Sequence, residues 1–397
     1  MRKNLWALLL FLLIWPLQTT ARRYTVIVSL DGFRYDYTQI YDTPFLNWLG
    51  HEGVSAVMQP SFPSVTFPNH YTLATGLYPD HHGIIANSFT DKASGLHFSL
   101  GTKETKQDPR FWRGEPVWQT AQRQGQRVGV VYWPGSDVKI NGVYPTYYHD
   151  YEQKPLLSFT ARIERVKELL QLPEDKRPAL VMTYFEEPDH SGHVYGPLTS
   201  ETRRTVARLD VLVEQLWERL QELAFADSIN FIVTADHGMT AVNPERVVRL
   251  TDYLKPGSYD RIEPGIPTQI YAPAGHVDEL LAALARVPHV KAWRKDEIPA
   301  VLHYGSDANI GDVVVLPDMG WIISEKPMPR PGGAHGFDPA GNDMLVPFLA
   351  VGPDFRQGYR KAAQFSNTCV YPLLCRLLGV APAACDGRLT DVEDLLR

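Results

Sequence analysis

Three short apolar runs in this chain end in residues that can hold a metal ion. Tyr24 to Leu30 runs straight into Asp31-Gly32. Ala179 to Phe185 leads into Glu186-Glu187-Pro188-Asp189, with His193 four residues further on. Ile229 to Ala235 ends at Asp236-His237-Gly238. His335 stands in Gly332-Gly333-Ala334-His335-Gly336, where small neighbours let backbone come close to a buried ion. Carboxylate oxygen and imidazole nitrogen together suit zinc, and a catalytic zinc keeps a position open for water or substrate. Asp31, Asp189, His193, Asp236, His237 and His335 divide naturally between two such ions. Two metals about 4 Å apart form a clamp for in-line displacement at phosphorus. Each piece alone is weak: an isolated Asp-His pair is more often a capped turn, and Asp before Gly is a common turn aspartate. The reading rests on the three strand-end acids taken together, two of them with a histidine at ligand spacing.

A nucleophile comes from Pro60-Ser-Phe-Pro-Ser-Val-Thr66-Phe-Pro-Asn-His70. Thr66 precedes an apparent helix start, with Pro68 suited to an early helical position. A hydroxyl there faces the positive end of a helix and its free N–H groups, which stabilise an anion or an alkoxide. Contact with a divalent metal lowers the hydroxyl's pKa further and makes it a competent attacker. The alternative is that Thr66 simply caps the helix.

The elements that must position these residues alternate in type. Besides the three runs above, Arg127 to Tyr132 ends at Trp133-Pro134-Gly135. Such runs, buried on both faces, are typical of parallel sheets. Between them Thr160 to Leu172 and Glu201 to Leu223 carry apolar residues at helical spacing. The fold class is therefore α/β, with a mostly parallel central sheet covered by helices on both faces. Ligands bind outside the carboxyl ends of the strands in such sheets, where Asp31, Asp189 and Asp236 all lie. Residues 240–330 are richer in Pro and Gly, with one helical segment from Val277 to Arg286, and read as an inserted cap. The chain returns to the core at Met344 to Val351. Because the candidate ligands run from Asp31 to His335, residues 22–397 read as one catalytic domain.

The N-terminus carries an address. Arg2 and Lys3 precede an apolar run, Leu5 to Leu17, and the small residues Thr19-Thr20-Ala21 follow. This is the pattern of a secretory signal peptide over residues 1–21, cleaved near Ala21, and the run is shorter than the roughly 20 residues of a membrane span. The expectation is export to a periplasm or the outside, with no transmembrane segment after cleavage. A formal charge of −6 over 397 residues argues against a stable nucleic-acid complex. It leaves room for small phosphate substrates, since metal ions supply positive charge locally. Of Cys369, Cys375 and Cys385, Cys375 falls in an apolar helical pattern, which makes Cys369–Cys385 the favoured bridge if one forms. Nothing in the sequence sets the oligomeric state.

The segment Phe62-Pro-Ser-Val-Thr-Phe-Pro-Asn-His-Tyr-Thr-Leu-Ala-Thr-Gly-Leu-Tyr-Pro-Asp-His-His-Gly-Ile85 resembles the nucleophile segment of the nucleotide pyrophosphatase/phosphodiesterase family, within the alkaline phosphatase superfamily. Ser29 to Arg34, Tyr184 to His193, Thr234 to Met239 and Gly333 to Phe337 resemble its other motifs, in order. The resemblance implies an alkaline-phosphatase-like fold and two zinc ions. One would be held by Asp189, His193 and His335, the other by Asp31, Asp236 and His237 with Thr66 as a further ligand. It implies attack by Thr66 on phosphorus, a phosphothreonine intermediate, and Asn87 as donor to a phosphoryl oxygen. Phe67, Tyr184 and Tyr151 would stack or flank a nucleoside. The substrate would be a nucleotide phosphodiester or pyrophosphate, split in the manner of a nucleoside triphosphate giving monophosphate and pyrophosphate. The chain has neither the Cys-rich N-terminal modules nor the nuclease-like domain of the larger animal relatives, and looks like the minimal bacterial form.

Three other readings compete. A phosphomonoesterase of the same superfamily would need an arginine or a third metal for the extra charge, and no such residue stands near Thr66 in sequence. A diesterase for choline phospholipids or glycerophosphodiesters would share the metal ligands and differ in the pocket, where a cation-binding aromatic cage would be needed. A non-catalytic relative would have lost a ligand or the nucleophile, and all are present here.

Overall fold

Four runs that are buried at every position, Tyr24–Leu30, Val128–Val131, Leu180–Phe185 and Ile229–Thr234, form the middle of the molecule. The computed structural model describes residues 22–397, so the leader expected over residues 1–21 lies outside the described residues. The four runs join Tyr147–His149 in five adjacent parallel strands, in the order 229–234, 24–30, 180–185, 128–131, 147–149. On the 229–234 side the sheet continues through Val346–Val351, which runs antiparallel, and then Val54–Gln59. Two short strands, Tyr359–Arg360 and Phe365–Ser366, pair with Val54–Gln59 to complete a nine-stranded mixed sheet.

Register explains why distant residues meet. Ser29 lies opposite both Tyr184 and Thr234. Asp31 and Asp236 each follow that row by two residues, so both leave the sheet at one edge. The chain turns at Gly32, whose φ of +69° is a left-handed value that a side chain resists. A Cβ there would also stand 2.9 Å from the Cα of Asp189. The glycine thus lets Asp189 close against the turn that follows Asp31, and the Asp189 N–H donates to the Asp31 carbonyl at 2.9 Å.

Helices cover both faces. Phe159–Gln171 and Ser200–Gln221 pack together, and Pro44–Glu52 packs on the latter. Their ends are set locally: the Ser158 hydroxyl accepts from Ala161 N–H and the Thr199 hydroxyl from Thr202 N–H, each satisfying an orphan donor of the first turn. Asp210 caps a helix from a distance, accepting from the N–H groups of Phe45 and Leu46. The second layer holds Thr66–Thr75, Val117–Arg123 and Val370–Leu378, which touch one another.

Within residues 240–330 a second core forms around Ile270, Leu280, Leu284, Val313 and Val315. It joins a four-stranded antiparallel sheet, in the order 261–263, 268–271, 313–317, 290–294, to the helix Val277–Leu284. The sequence pattern suggested only the helix, because these strands are short.

The Cys369–Cys385 bridge does not form. All three thiols are free; Cys369 and Cys375 are buried around the start and middle of the helix Val370–Leu378, and Cys385 Sγ donates instead to the Gly387 carbonyl at 3.4 Å.

Candidate active site

Two triads of ligand atoms assemble at the carboxyl edge of the sheet: Asp31, Asp236 and His237, all buried, and Asp189, His193 and His335, which open partly to solvent. Within each triad the ligand atoms lie within 4.8 Å of one another. The first comes from the ends of two neighbouring strands. The second needs the helix Asp189–Tyr195, which puts Asp189 and His193 on one face at i, i+4. It also needs the strand Gly332–Ala334 beside that helix, and here glycine is obligatory: a Cβ on Gly333 would stand 2.5 Å from the Gly192 carbonyl.

The hydrogen bonds show which atoms are left for an ion. His237 Nδ1 lies 2.9 Å from the Gly238 carbonyl, His193 Nδ1 2.8 Å from that of Gly333 and His335 Nδ1 3.1 Å from that of Ser64. A carbonyl only accepts, so each Nδ1 carries the proton and each Nε2 presents a lone pair. The lone pair of His237 faces Asp31 Oδ1 at 3.4 Å and Asp236 Oδ2 at 3.1 Å. His193 and His335 place their Nε2 atoms 3.1 Å apart, with Asp189 Oδ1 at 3.3 and 3.6 Å from them. Asp31 Oδ1, Asp189 Oδ1 and Asp236 Oδ2 are all buried without a hydrogen-bond partner. Buried acceptors turned on one another are costly unless a cation lies between them. The donor set fits divalent metal ions.

Protonation follows the same crowding. Burial first, then the Asp236 and Asp189 carboxylates, push the Asp31 carboxyl well above the ordinary range. Burial acts in the same direction on Asp236, but His237, His70 and the Gly32 N–H outweigh it and hold that carboxyl low. Burial and the neighbouring His237 lower His335 to about 3, which keeps it neutral and ready to ligate. Burial lowers His193 too, but its hydrogen bond to Asp189 and the Asp189 charge outweigh it and leave the imidazole raised overall.

Thr66 is the first residue of the helix Thr66–Thr75 rather than its cap. Val65 holds the cap position and makes no side-chain capping bond. The Thr66 hydroxyl turns to His237 instead, with Oγ1 3.1 Å from Nε2. Asn87 reaches the same turn: its Oδ1 accepts from the Phe67 N–H at 3.0 Å, which leaves its NH₂ group to donate elsewhere.

Beside the triads opens a pocket of about 250 Å³, whose walls include Thr66, Phe67, Tyr151, Tyr184, Trp133 and Lys106. Burial pushes the Tyr151 phenol up to about 12, and its ring stands edge-on to Tyr132 at 5.5 Å. Tyr184 is only 7% exposed, and its hydroxyl donates to Asp31 Oδ2. Lys106, Trp133 and Tyr132 escaped the sequence reading. Trp133 and Tyr132 lie at the end of a recognised strand, where a ligand-facing position is expected, but they carry no metal-ligand signature. Lys106 comes from a short helix without distinctive pattern. A larger groove, of about 900 Å³, lies beside the strands Val54–Gln59 and Val346–Val351, near Asn47, Ser55 and Pro347, and holds none of these groups.

A mixed, largely parallel sheet with two ligand triads around a helix-borne hydroxyl defines the alkaline-phosphatase-like class of α/β proteins. Within it, the chain belongs to the type I phosphodiesterase/nucleotide pyrophosphatase family, whose sequence profile matches residues 25–338. It is 36% identical over 387 residues to the venom phosphodiesterase CdcPDE of Crotalus durissus collilineatus, covering 94% of this chain and 46% of that protein. The chain thus spans about half the length of that relative. It is 35% identical over 376 residues to human ectonucleotide pyrophosphatase/phosphodiesterase family member 5, covering 94% of this chain and 77% of the relative. The solved structure of the murine family member 5 superposes with a TM-score of 0.88 at 34% identity, covering 94% of this chain and all of that one. An inactive form of the murine protein has been solved in complex with AMP, with the same TM-score of 0.88.

Proposed function

We propose that the chain is an exported phosphodiesterase that uses two zinc ions and the Thr66 hydroxyl to split nucleotide phosphodiester or pyrophosphate bonds. The observation that carries this reading is the pair of ligand triads with three orphaned carboxylate oxygens, one of whose imidazole nitrogens, His237 Nε2, lies 3.1 Å from Thr66 Oγ1. Asp31, Asp236, His237 and Thr66 would hold one ion, and Asp189, His193 and His335 the other. Bound there, the ions would supply positive charge to the phosphoryl oxygens and lower the pKa of the attacking hydroxyl.

The residues of the chain do the rest. Thr66 Oγ forms a bond to phosphorus as the leaving oxygen departs with the electron pair, giving a phosphothreonine that water then cleaves. The free NH₂ of Asn87 donates to a phosphoryl oxygen, a role in which one donor is typically worth about 10²–10³-fold in rate. Phe67 and Tyr151 offer faces to a nucleoside base, and stacking contributes on the order of 1–3 kcal/mol. The AMP complex of the murine relative supports a nucleotide in this pocket. The venom and ectonucleotidase relatives support action outside the cytoplasm, and no helix among the described residues is long and apolar enough to cross a membrane.

The test is product analysis with ATP after the metals bound to the chain have been quantified. AMP plus pyrophosphate is the expected result. A strong preference for nitrophenyl phosphate over the nitrophenyl diester of thymidine monophosphate would replace the diesterase reading with a monoesterase. Turnover of a choline phospholipid alone would move the substrate class to lipids.

A further inference from the structure

His70 takes no part in the chemistry above, yet it is fully buried between the nucleophile and a metal ligand. It lies one helical turn after Thr66 on the same helix, so its side chain points back beneath the nucleophile. Its Nδ1 is 3.0 Å from the Thr66 carbonyl and 3.3 Å from Asp236 Oδ2, and its Nε2 is 2.9 Å from Ser29 Oγ. These partners settle the tautomer. Because a carbonyl can only accept, Nδ1 carries the hydrogen, and the Ser29 hydroxyl must then donate to Nε2.

The ring has no freedom to turn. Trp133 and Tyr184 pack against it edge-on, with centroids at 5.1 and 4.9 Å, and the Trp133 indole N–H donates to the His70 carbonyl at 3.0 Å. One N–H therefore faces two things at once: the first-turn carbonyl of the nucleophile helix and the carboxylate of Asp236. The hydrogen bond itself goes to Thr66. Asp236 Oδ2 feels the positive end of the N–H dipole while keeping its lone pairs for an ion, and Asp236 Oδ1 is fixed separately by the Gly32 N–H at 3.2 Å.

From this geometry we infer that His70 is a positioning residue, whose Nδ1–H sets the Asp236 carboxylate relative to Thr66 so that the Asp31, Asp236 and His237 site closes around its ion. The inference rests on the two-metal reading above. Partners behind a metal ligand typically govern about 10–100-fold of metal affinity, the scale expected here.

The side-chain amides of Asn and Gln separate the donor from the packing. Asn places an N–H near the position of Nδ1, whereas Gln reaches toward the position of Nε2. The full chain would be prepared as wild type, His70→Asn, His70→Gln, His70→Phe and Ser29→Ala. Zinc per chain would be counted after dialysis against graded chelator, and a thermal melt would establish that each variant folds. Two ions in the wild type, one of them held about 10–100-fold more weakly in His70→Gln and His70→Phe but near wild-type strength in His70→Asn, is the expected pattern. Ser29→Ala removes only the partner of Nε2 and leaves Nδ1–H on the Thr66 carbonyl, so it should hold the same ion at near wild-type strength. Equal loss in His70→Asn and His70→Phe would reduce His70 to packing, and equal affinity throughout would remove its role; either overturns the inference alone. A wild type that does not hold two ions overturns the metal reading and this inference with it. If His70→Phe does not fold, the Asn and Gln pair decides.

Discussion

The Tyr184 hydroxyl donates to Asp31 Oδ2, so a residue at the wall of the substrate pocket also holds a carboxylate of the buried triad. Burial keeps this phenol protonated, raising it well above its ordinary value, and a protonated phenol is a permanent donor. With Oδ2 occupied, Oδ1 is the oxygen left facing His237. Tyr184→Phe removes the donor and keeps the ring. Metal affinity should fall by about 10–100-fold while KM for a nucleotide substrate changes little. A chelator titration paired with steady-state kinetics measures both; unaltered metal binding would show that the hydroxyl does not hold Asp31 for an ion and leave Tyr184 only its ring.

Asn87 is held by one end only. Its carbonyl oxygen accepts from the Phe67 N–H, next to the nucleophile, and its amide nitrogen is free to donate. Asn87→Ala should lower kcat by about 10²–10³-fold with metal content intact, because only a donor to charge developing on the phosphoryl group is removed. An unchanged kcat would exclude Asn87 from the reaction.

Much of this centre was legible in the sequence because its ligands sit where strands end. Asp31 and Asp236 follow uninterrupted apolar runs, and the parallel register of Ser29 with Tyr184 and Thr234 turns that linear pattern into proximity. His193 was legible by its spacing from Asp189 on one helix. The supporting residues were not. His70, Arg34 and Arg162 act through contacts that join several turns and strand ends, and no periodicity marks them. Arg34 illustrates this: it pairs with Asp36 and Asp343 and donates to the Met239 carbonyl at 3.1 Å, joining the turn after Asp31 to the one after His237. The strand Val54–Gln59 was also missed. It is buried only at alternate positions, which weakens the apolar run that revealed its neighbours.

Metal binding should release a proton from the Asp31 carboxyl. In the metal-free protein, burial and the Asp236 and Asp189 charges raise the Asp31 carboxyl well above normal. Its folded pKa thus exceeds the unfolded one. The stability it contributes is complete below the unfolded value and is lost as pH rises through the raised value. A divalent ion competes for the same oxygen, so apparent affinity should fall as pH falls. Calorimetric titration with zinc in two buffers of different ionisation heat measures the proton count. No release at any pH through the titration of Asp31 would contradict the raised carboxyl.

Arg162 should be worth more to this protein than any surface ion pair. Its side chain is 1% exposed, and its guanidinium donates to the carbonyls of Tyr184 at 2.7 Å and Leu157 at 3.1 Å and to Glu186 Oε1 at 2.9 Å. It also lies 4.7 Å over the ring of Tyr132. It therefore fixes both the strand end that carries Tyr184 and the wall that carries Tyr132. Arg162→Met keeps the bulk but leaves these acceptors unpaired, at a cost of about 3–5 kcal/mol. Urea unfolding of the metal-loaded chain measures that loss. Kinetics should show a raised KM for nucleotides as Tyr132 and Tyr184 loosen, with zinc content less affected than in Tyr184→Phe, whose lost bond touches a ligand directly. A variant with wild-type stability and KM would show that the buried guanidinium organises neither wall.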